Sequence, residues 1–156
     1  MSKLGNIVKH KPGKKTVVFL VLVLVCLAGF LIWSNVFMGE ETVEFRVLSE
    51  KEIPQEILNQ VIPEYRTMER ALACIVDGKV YVVATRGEKP TSGYDIEIKK
   101  MTLTEEDGKS KINVYTQFTD PEPNKALTQV LSYPLQVAET SLTALPNAIK
   151  LKVEYL

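Results

Sequence analysis

From Thr16 to Phe37 the chain runs without a single charged residue, with Val17, Val18, Phe19, Leu20, Val21, Leu22, Val23, Leu24 and Val25 in succession. At about 1.5 Å of rise per residue, a helix of roughly 20 such residues spans the ~30 Å hydrocarbon core of a bilayer. Lys3, Lys9, Lys11, Lys14 and Lys15 precede the run, and Glu40, Glu41 and Glu44 follow it. Basic flanks stay on the cytoplasmic side. The chain therefore reads as a basic cytoplasmic tail over 1–15, a single-pass transmembrane anchor over 16–38, and an extracytoplasmic domain over 39–156 at the cell membrane. A secretory signal has a shorter apolar region ending in small residues. This run continues past that length, which points to an uncleaved signal anchor. Lipid attachment at Cys26 would need a small residue before it at the end of the apolar region. Val25 is not small, and apolar residues continue to Phe37.

The whole chain carries 19 basic and 19 acidic residues, and this neutral total hides an asymmetry. The first 15 residues hold five lysines and no acid, leaving 14 basic against 19 acidic residues outside, a net −5. Nucleic-acid phosphates call for clustered Lys and Arg, which the outer domain lacks, so no nucleic-acid partner is expected. The lysines of the tail serve as topology signals and are attracted to anionic lipid. The outer domain also has no tryptophan, since Trp33 belongs to the apolar run. That disfavours carbohydrate binding.

About 115 residues can bury one core, so a single domain is expected. Its only cysteine is Cys74, which excludes an internal disulfide and reads as a small buried apolar residue, with an intermolecular disulfide or a reactive thiol as the alternatives. Val43, Phe45 and Val47 alternate with polar neighbours as a half-buried strand does. From Pro54 onward, Ile57, Leu58, Val61 and Ile62 recur at helical spacing, with Pro63 ending or kinking the helix. Ala71–Val76 and Val80–Thr85, joined by Asp77-Gly78, read as a central hairpin covered on both faces. Tyr94, Ile96 and Ile98 alternate, whereas Met101 and Leu103 fall on the other parity. A bulge near Lys99 and Lys100 would restore the inward face. Ile112, Val114, Thr116 and Phe118 form a further strand. Gln129–Ala138 reads as an edge or bulged strand because of Pro134, and Ile149, Leu151, Val153 and Tyr155 place the chain end inside the sheet. The fold class is mainly β: a small antiparallel β-sandwich or open barrel with one covering helix after the anchor.

The only histidine, His10, lies in the tail, so the outer domain has none to act as general base or metal ligand. That excludes most hydrolase designs, and no enzyme, metal or cofactor is expected. Ser92 near Lys89, and Ser110 near Lys109 and Lys111, are the remaining nucleophile candidates, close only in sequence. Glu105, Glu106 and Asp107 sit in a turn as a solvated cluster without calcium-loop spacing. Gly87 and Gly93 lack the Gly-Lys-Ser/Thr ending and following helix of a phosphate loop. The segment Lys89, Pro90, Thr91, Ser92, Gly93 and Tyr94 reads either as a plain connector or as a partner-binding loop. In the second case its rigidity lowers the ordering cost of binding, and Tyr94 either anchors contact or starts the inward strand face.

The Val82-Val83-Ala84 strand, Gly87, the Lys89–Tyr94 loop with Ile96 and Ile98, then Pro121 and Gln129–Val137 with Pro134, resemble the C-terminal domain of the PrcB family. The resemblance covers about 81–153. That family is named for an accessory subunit of a bacterial surface protease complex. The resemblance implies a bacterial, non-enzymatic, protein-binding role that helps to assemble or stabilise an extracytoplasmic protease or envelope complex. Pro90-Thr91-Ser92-Gly93-Tyr94 is also similar to a loop of chagasin-type cysteine-protease inhibitors, whose Gly-x-Gly and Arg-Pro-Trp motifs are absent here. The inhibitor reading predicts inhibition through Thr91 and Ser92. A third reading is a structural envelope protein that packs against neighbours.

Overall fold

The structure, a computed structural model of the chain, describes residues 13, 18–19, 21–27, 29, 40–106, 108–124 and 126–156. The chain divides into two compact units, Met1–Gly39 and Glu40–Leu156. In the first, residues 18–19, 21–27 and 29 are helical, and among the described residues no helix is long and apolar enough to cross a membrane. The basic tail of 1–15 and the span expected over 16–38 fall largely outside the described residues.

The second unit is a β-sandwich of two four-stranded sheets. Its strands are β1 (Glu40–Thr42), β2 (Phe45–Val47), β3 (Glu69–Val76), β4 (Lys79–Arg86), β5 (Asp95–Glu106), β6 (Lys109–Thr119), β7 (Leu135–Thr140) and β8 (Ala148–Tyr155). One sheet runs β1-β5-β6-β8 and the other β2-β7-β4-β3. Every pairing is antiparallel except β6 with β8, which is parallel through eight register pairs from Lys111↔Ala148 to Phe118↔Tyr155. β7, lying in the opposite sheet, carries the chain back between β6 and β8, so both of these strands run toward the same end of the sandwich. The wholly antiparallel sandwich read from the sequence is corrected at this one pairing.

The hairpin expected at Asp77-Gly78 is present. Both residues take positive φ, 48° and 77°, as a two-residue turn matching the strand twist requires. β4 alternates between two interiors. Val82 and Ala84 join Ile96, Ile98, Met101, Ile112, Val114 and Phe118 between the sheets. Tyr81 and Val83 face the other way, toward Leu48, Ile53 and Ile57. Strand burial on both faces explains the continuous apolar run. β4 is internal, as read, but β3 is the outer strand of its sheet.

The covering helix exists in two parts, a wide five-residue turn over Ile57–Val61 followed by the α-helix α1 (Ile62–Tyr65). Ile62 donates its N–H to the Ile57 carbonyl, five residues back. Pro63 has no N–H to give and crowds the preceding turn, and the widened turn accommodates it without ending the helix. Ile57 is fully buried, and Leu58, Val61 and Ile62 pack against the same interior.

The expected bulge falls between Ile98 and Lys100, and it turns Met101 into the core with no exposure. Three readings are corrected. The segment from Val43 to Val47 is not one strand: β1 and β2 lie in different sheets. The buried Val43 between them donates its N–H to Met101 in one sheet, while the Glu44 carbonyl accepts from Ser141 beside the other. β7 begins only after Pro134 and is flanked on both sides, by β2 and β4, instead of forming an edge. β8 joins a sheet but at its rim, and its alternation reflects one solvated face.

Candidate functional site

The β4–β5 loop, the β6–β7 loop and the turn before β3 gather at one end of the sandwich, around the side chain of Arg86. Arg86 ends β4 and is only 2 % exposed. Its Nη1 donates to the carbonyls of Asp95 at 2.9 Å and Thr119 at 2.6 Å, and its Nη2 pairs with Asp120. Asp95 and Thr119 are themselves register partners, the first residue of β5 and the last of β6. One guanidinium thus joins the end of one sheet to the other. Its plane is lined by Phe118 at 4.8 Å and Tyr94 at 5.0 Å, and Nε is buried without a partner among the described residues. Planar geometry with several fixed donors suits Arg for this position, where Lys would supply a single point charge.

From that base the loop carrying the six expected site residues does not stand alone. Lys89 exchanges both backbone bonds with Ser132, each 2.9 Å, forming a one-pair antiparallel bridge. The Ser92 N–H donates to the Thr128 carbonyl at 3.1 Å, and the Thr128 N–H donates back to Ser92 Oγ at 3.1 Å. Ser132 Oγ donates to the Thr91 carbonyl at 2.7 Å. Gly93, at φ 91°, leaves no room for a side chain: a Cβ there would stand 2.9 Å from Pro121 Cβ and 3.1 Å from Leu127 Cδ2. The loop is therefore tied to 121–132 by hydrogen bonds at Lys89, Thr91 and Ser92.

Tyr133 extends the platform. Its hydroxyl donates to Glu88 at 2.8 Å, and the Arg66 guanidinium lies 4.4 Å from its ring centre. The bond to Glu88 raises the Tyr133 pKa above its ordinary value, because the donated proton is worth more there than in water.

The six consecutive residues have different surroundings. Tyr94 is half-buried and covers Arg86 instead of pointing into solvent, and the Thr91 hydroxyl is turned to its own loop, toward the Ser92 carbonyl at 3.2 Å. Pro90 is exposed. Beside it the β6–β7 loop presents Val130 and Leu131, 59 % and 54 % exposed, two adjacent large apolar side chains on a braced loop. These two, with Arg86, Asp120 and Tyr133, are the residues the sequence reading missed. Periodicity places Val130 and Leu131 inside a strand, and Arg86 lies just beyond the expected strand Val80–Thr85. The signal for Arg86 was an arginine closing the apolar run Val80–Thr85.

Among the described residues neither serine considered as a nucleophile is bonded to a lysine. Ser92 Oγ accepts from Thr128, and Ser110 exchanges bonds with Asn147, donating to its Oδ1 at 3.1 Å. Among the described residues no group of three or more His, Cys, Asp or Glu side chains gathers as a metal site would need. Cys74 lies half-buried against the helix-facing interior, and burial raises its thiol pKa, so it is protonated at neutral pH.

Residues 80–141 match the family model for the PrcB C-terminal domain. The match runs from β4 through β7, so it contains Arg86, both loops and the strands that support them. It bears out the family resemblance read from the sequence. No curated protein and no solved structure matches the chain.

Proposed function

We propose that the outer domain is a non-enzymatic protein-binding module, an accessory or stabilising subunit of an extracytoplasmic protease or envelope complex. The observation that carries this reading is the braced pair of loops, which holds Val130 and Leu131 in the open beside Pro90. A loop already ordered by its own fold gives up little entropy on binding, so more of the contact energy appears as affinity. Adjacent exposed apolar side chains on such a loop supply the anchors. The family match supports the protease-associated setting, and the absence of histidine from the outer domain supports a role without catalysis.

The membrane setting is part of the proposal. The run from Thr16 to Phe37 is apolar all round, uncharged and flanked by lysines on one side, as an anchor with a cytoplasmic N-terminus would be. The inhibitor alternative relied on Thr91 and Ser92 reaching a partner. Both are instead engaged within the loops, which favours the accessory reading.

The test is capture of partners from crosslinked native membranes with the full-length chain, followed by a peptidase assay of any captured protease with and without the chain. An accessory subunit leaves the peptidase active and lengthens its lifetime. Stoichiometric loss of activity would instead favour the inhibitor.

A further inference from the structure

A second surface lies beside the braced loops, where β7 outruns its neighbour. β2 ends at Val47, and Leu48 makes the last backbone contact on that side, donating to the Val137 carbonyl at 2.8 Å. In an antiparallel ladder alternate residues turn their N–H and C=O to opposite neighbours. Ser132 bonds to Lys89 and the Pro134 carbonyl accepts from Arg86, so 132, 134 and 136 face β4 and its extension. Tyr133 and Leu135 then face the other way. Opposite them no strand stands, and their backbone groups have no backbone partner among the described residues. These four groups, at residues two apart, continue the line of β2.

They open onto a groove of about 760 Å³ between sheet and helix, whose apolar walls include Leu48, Ile53, Leu58 and Ile62. Glu50, also lining it, is exposed and makes no ion pair among the described residues.

The geometry points to an extended segment of a partner protein as the occupant, one that pairs edge-on with Tyr133 and Leu135 in continuation of β2. Unpaired N–H and C=O groups at two-residue spacing complement an extended backbone, which offers the same groups at the same repeat. Alternate apolar side chains of the segment enter the groove, and a Lys or Arg beside them meets Glu50, in keeping with the net −5 of the outer domain. This inference rests on the protein-binding reading and gives it a second contact, continuous through Tyr133 with the loops that present Val130 and Leu131.

The test selects binders from a random nine-residue peptide library displayed on phage, using the full-length chain in detergent micelles, and then measures the selected peptides in solution. The expected peptides alternate apolar and polar residues and include Lys or Arg. Their affinity falls at least tenfold with Leu135→Pro, which removes an N–H that the fold itself does not use, and about threefold with the exposed Glu50→Lys. Amide exchange at Tyr133 and Leu135 is fast in the free wild-type chain and slows at least tenfold with peptide bound, a readout independent of any variant. Failure to enrich any peptide, binding indifferent to both substitutions, or amides already protected in the free chain overturns the groove inference. Peptides lost only with Val130→Ser, Leu131→Ser overturn it while leaving the loop-surface reading standing.

Discussion

Arg86 Nη1 lies 2.6 Å from the Thr119 carbonyl and 2.9 Å from that of Asp95, so the last side chain of one sheet closes the final pair of the other. Removing it strands two carbonyls and opens the space between Tyr94 and Phe118. Arg86→Met should therefore destabilise the domain by about 2–3 kcal/mol, the range for losing hydrogen bonds from a buried charged donor. The ion pair with Asp120 contributes little of this, since that carboxylate is 60 % exposed. Urea denaturation of wild type and variant measures the difference. Asp120→Asn should cost under about 1 kcal/mol by the same assay.

Gly93→Ala would force both a positive φ and a Cβ only 2.9 Å from Pro121. Pro121 is backbone-rigid, so the two loops must part. The expected loss is about 2–3 kcal/mol, combining left-handed strain with the clash. Gly78→Ala, also at positive φ but with open space around it, should cost about 1 kcal/mol. A thermal melt comparing the two variants checks the order.

Glu52 gives the domain an acid-sensitive corner. Its carboxylate accepts from the Ser49 hydroxyl at 2.7 Å and N–H at 2.9 Å, and from Arg46 at 2.6 Å. Those bonds, with Ser49 contributing most, hold its pKa down, from 4.5 to about 2. A depressed folded-state pKa stabilises the fold above the unfolded value, and that stabilisation disappears as pH falls from about 4.5 toward 2. Glu52→Gln should therefore flatten the stability profile across this window while leaving its shape above pH 6 unchanged. Denaturation midpoints at stepped pH values measure it.

Much of the fold was legible because single-strand patterns report burial. The Asp77-Gly78 turn, the bulge that turns Met101 inward and the two-faced burial of β4 each leave a local mark in the sequence. Topology leaves none: Ile149, Leu151 and Val153 alternate identically whether β8 runs parallel or antiparallel to β6. Alternation likewise continued across Val43, where the chain changes sheets, because a buried residue at a corner keeps the parity of a straight strand. At the site, the Lys89–Tyr94 loop was visible through its Pro and Gly, which constrain backbone. Its pairing with 121–132 and its clasp by Arg86 were not, since they join residues 33 to 41 positions apart through hydrogen bonds that no spacing rule encodes.

The most direct test of the account compares partner capture by the full-length wild type with capture by a Val130→Ser, Leu131→Ser double variant. Both side chains are exposed, so stability should stay within about 0.5 kcal/mol of wild type. A defined protein retained by the wild type from crosslinked membranes should be reduced at least tenfold with the equally stable variant. Equal retention by the two would contradict it, placing the binding surface away from the paired loops.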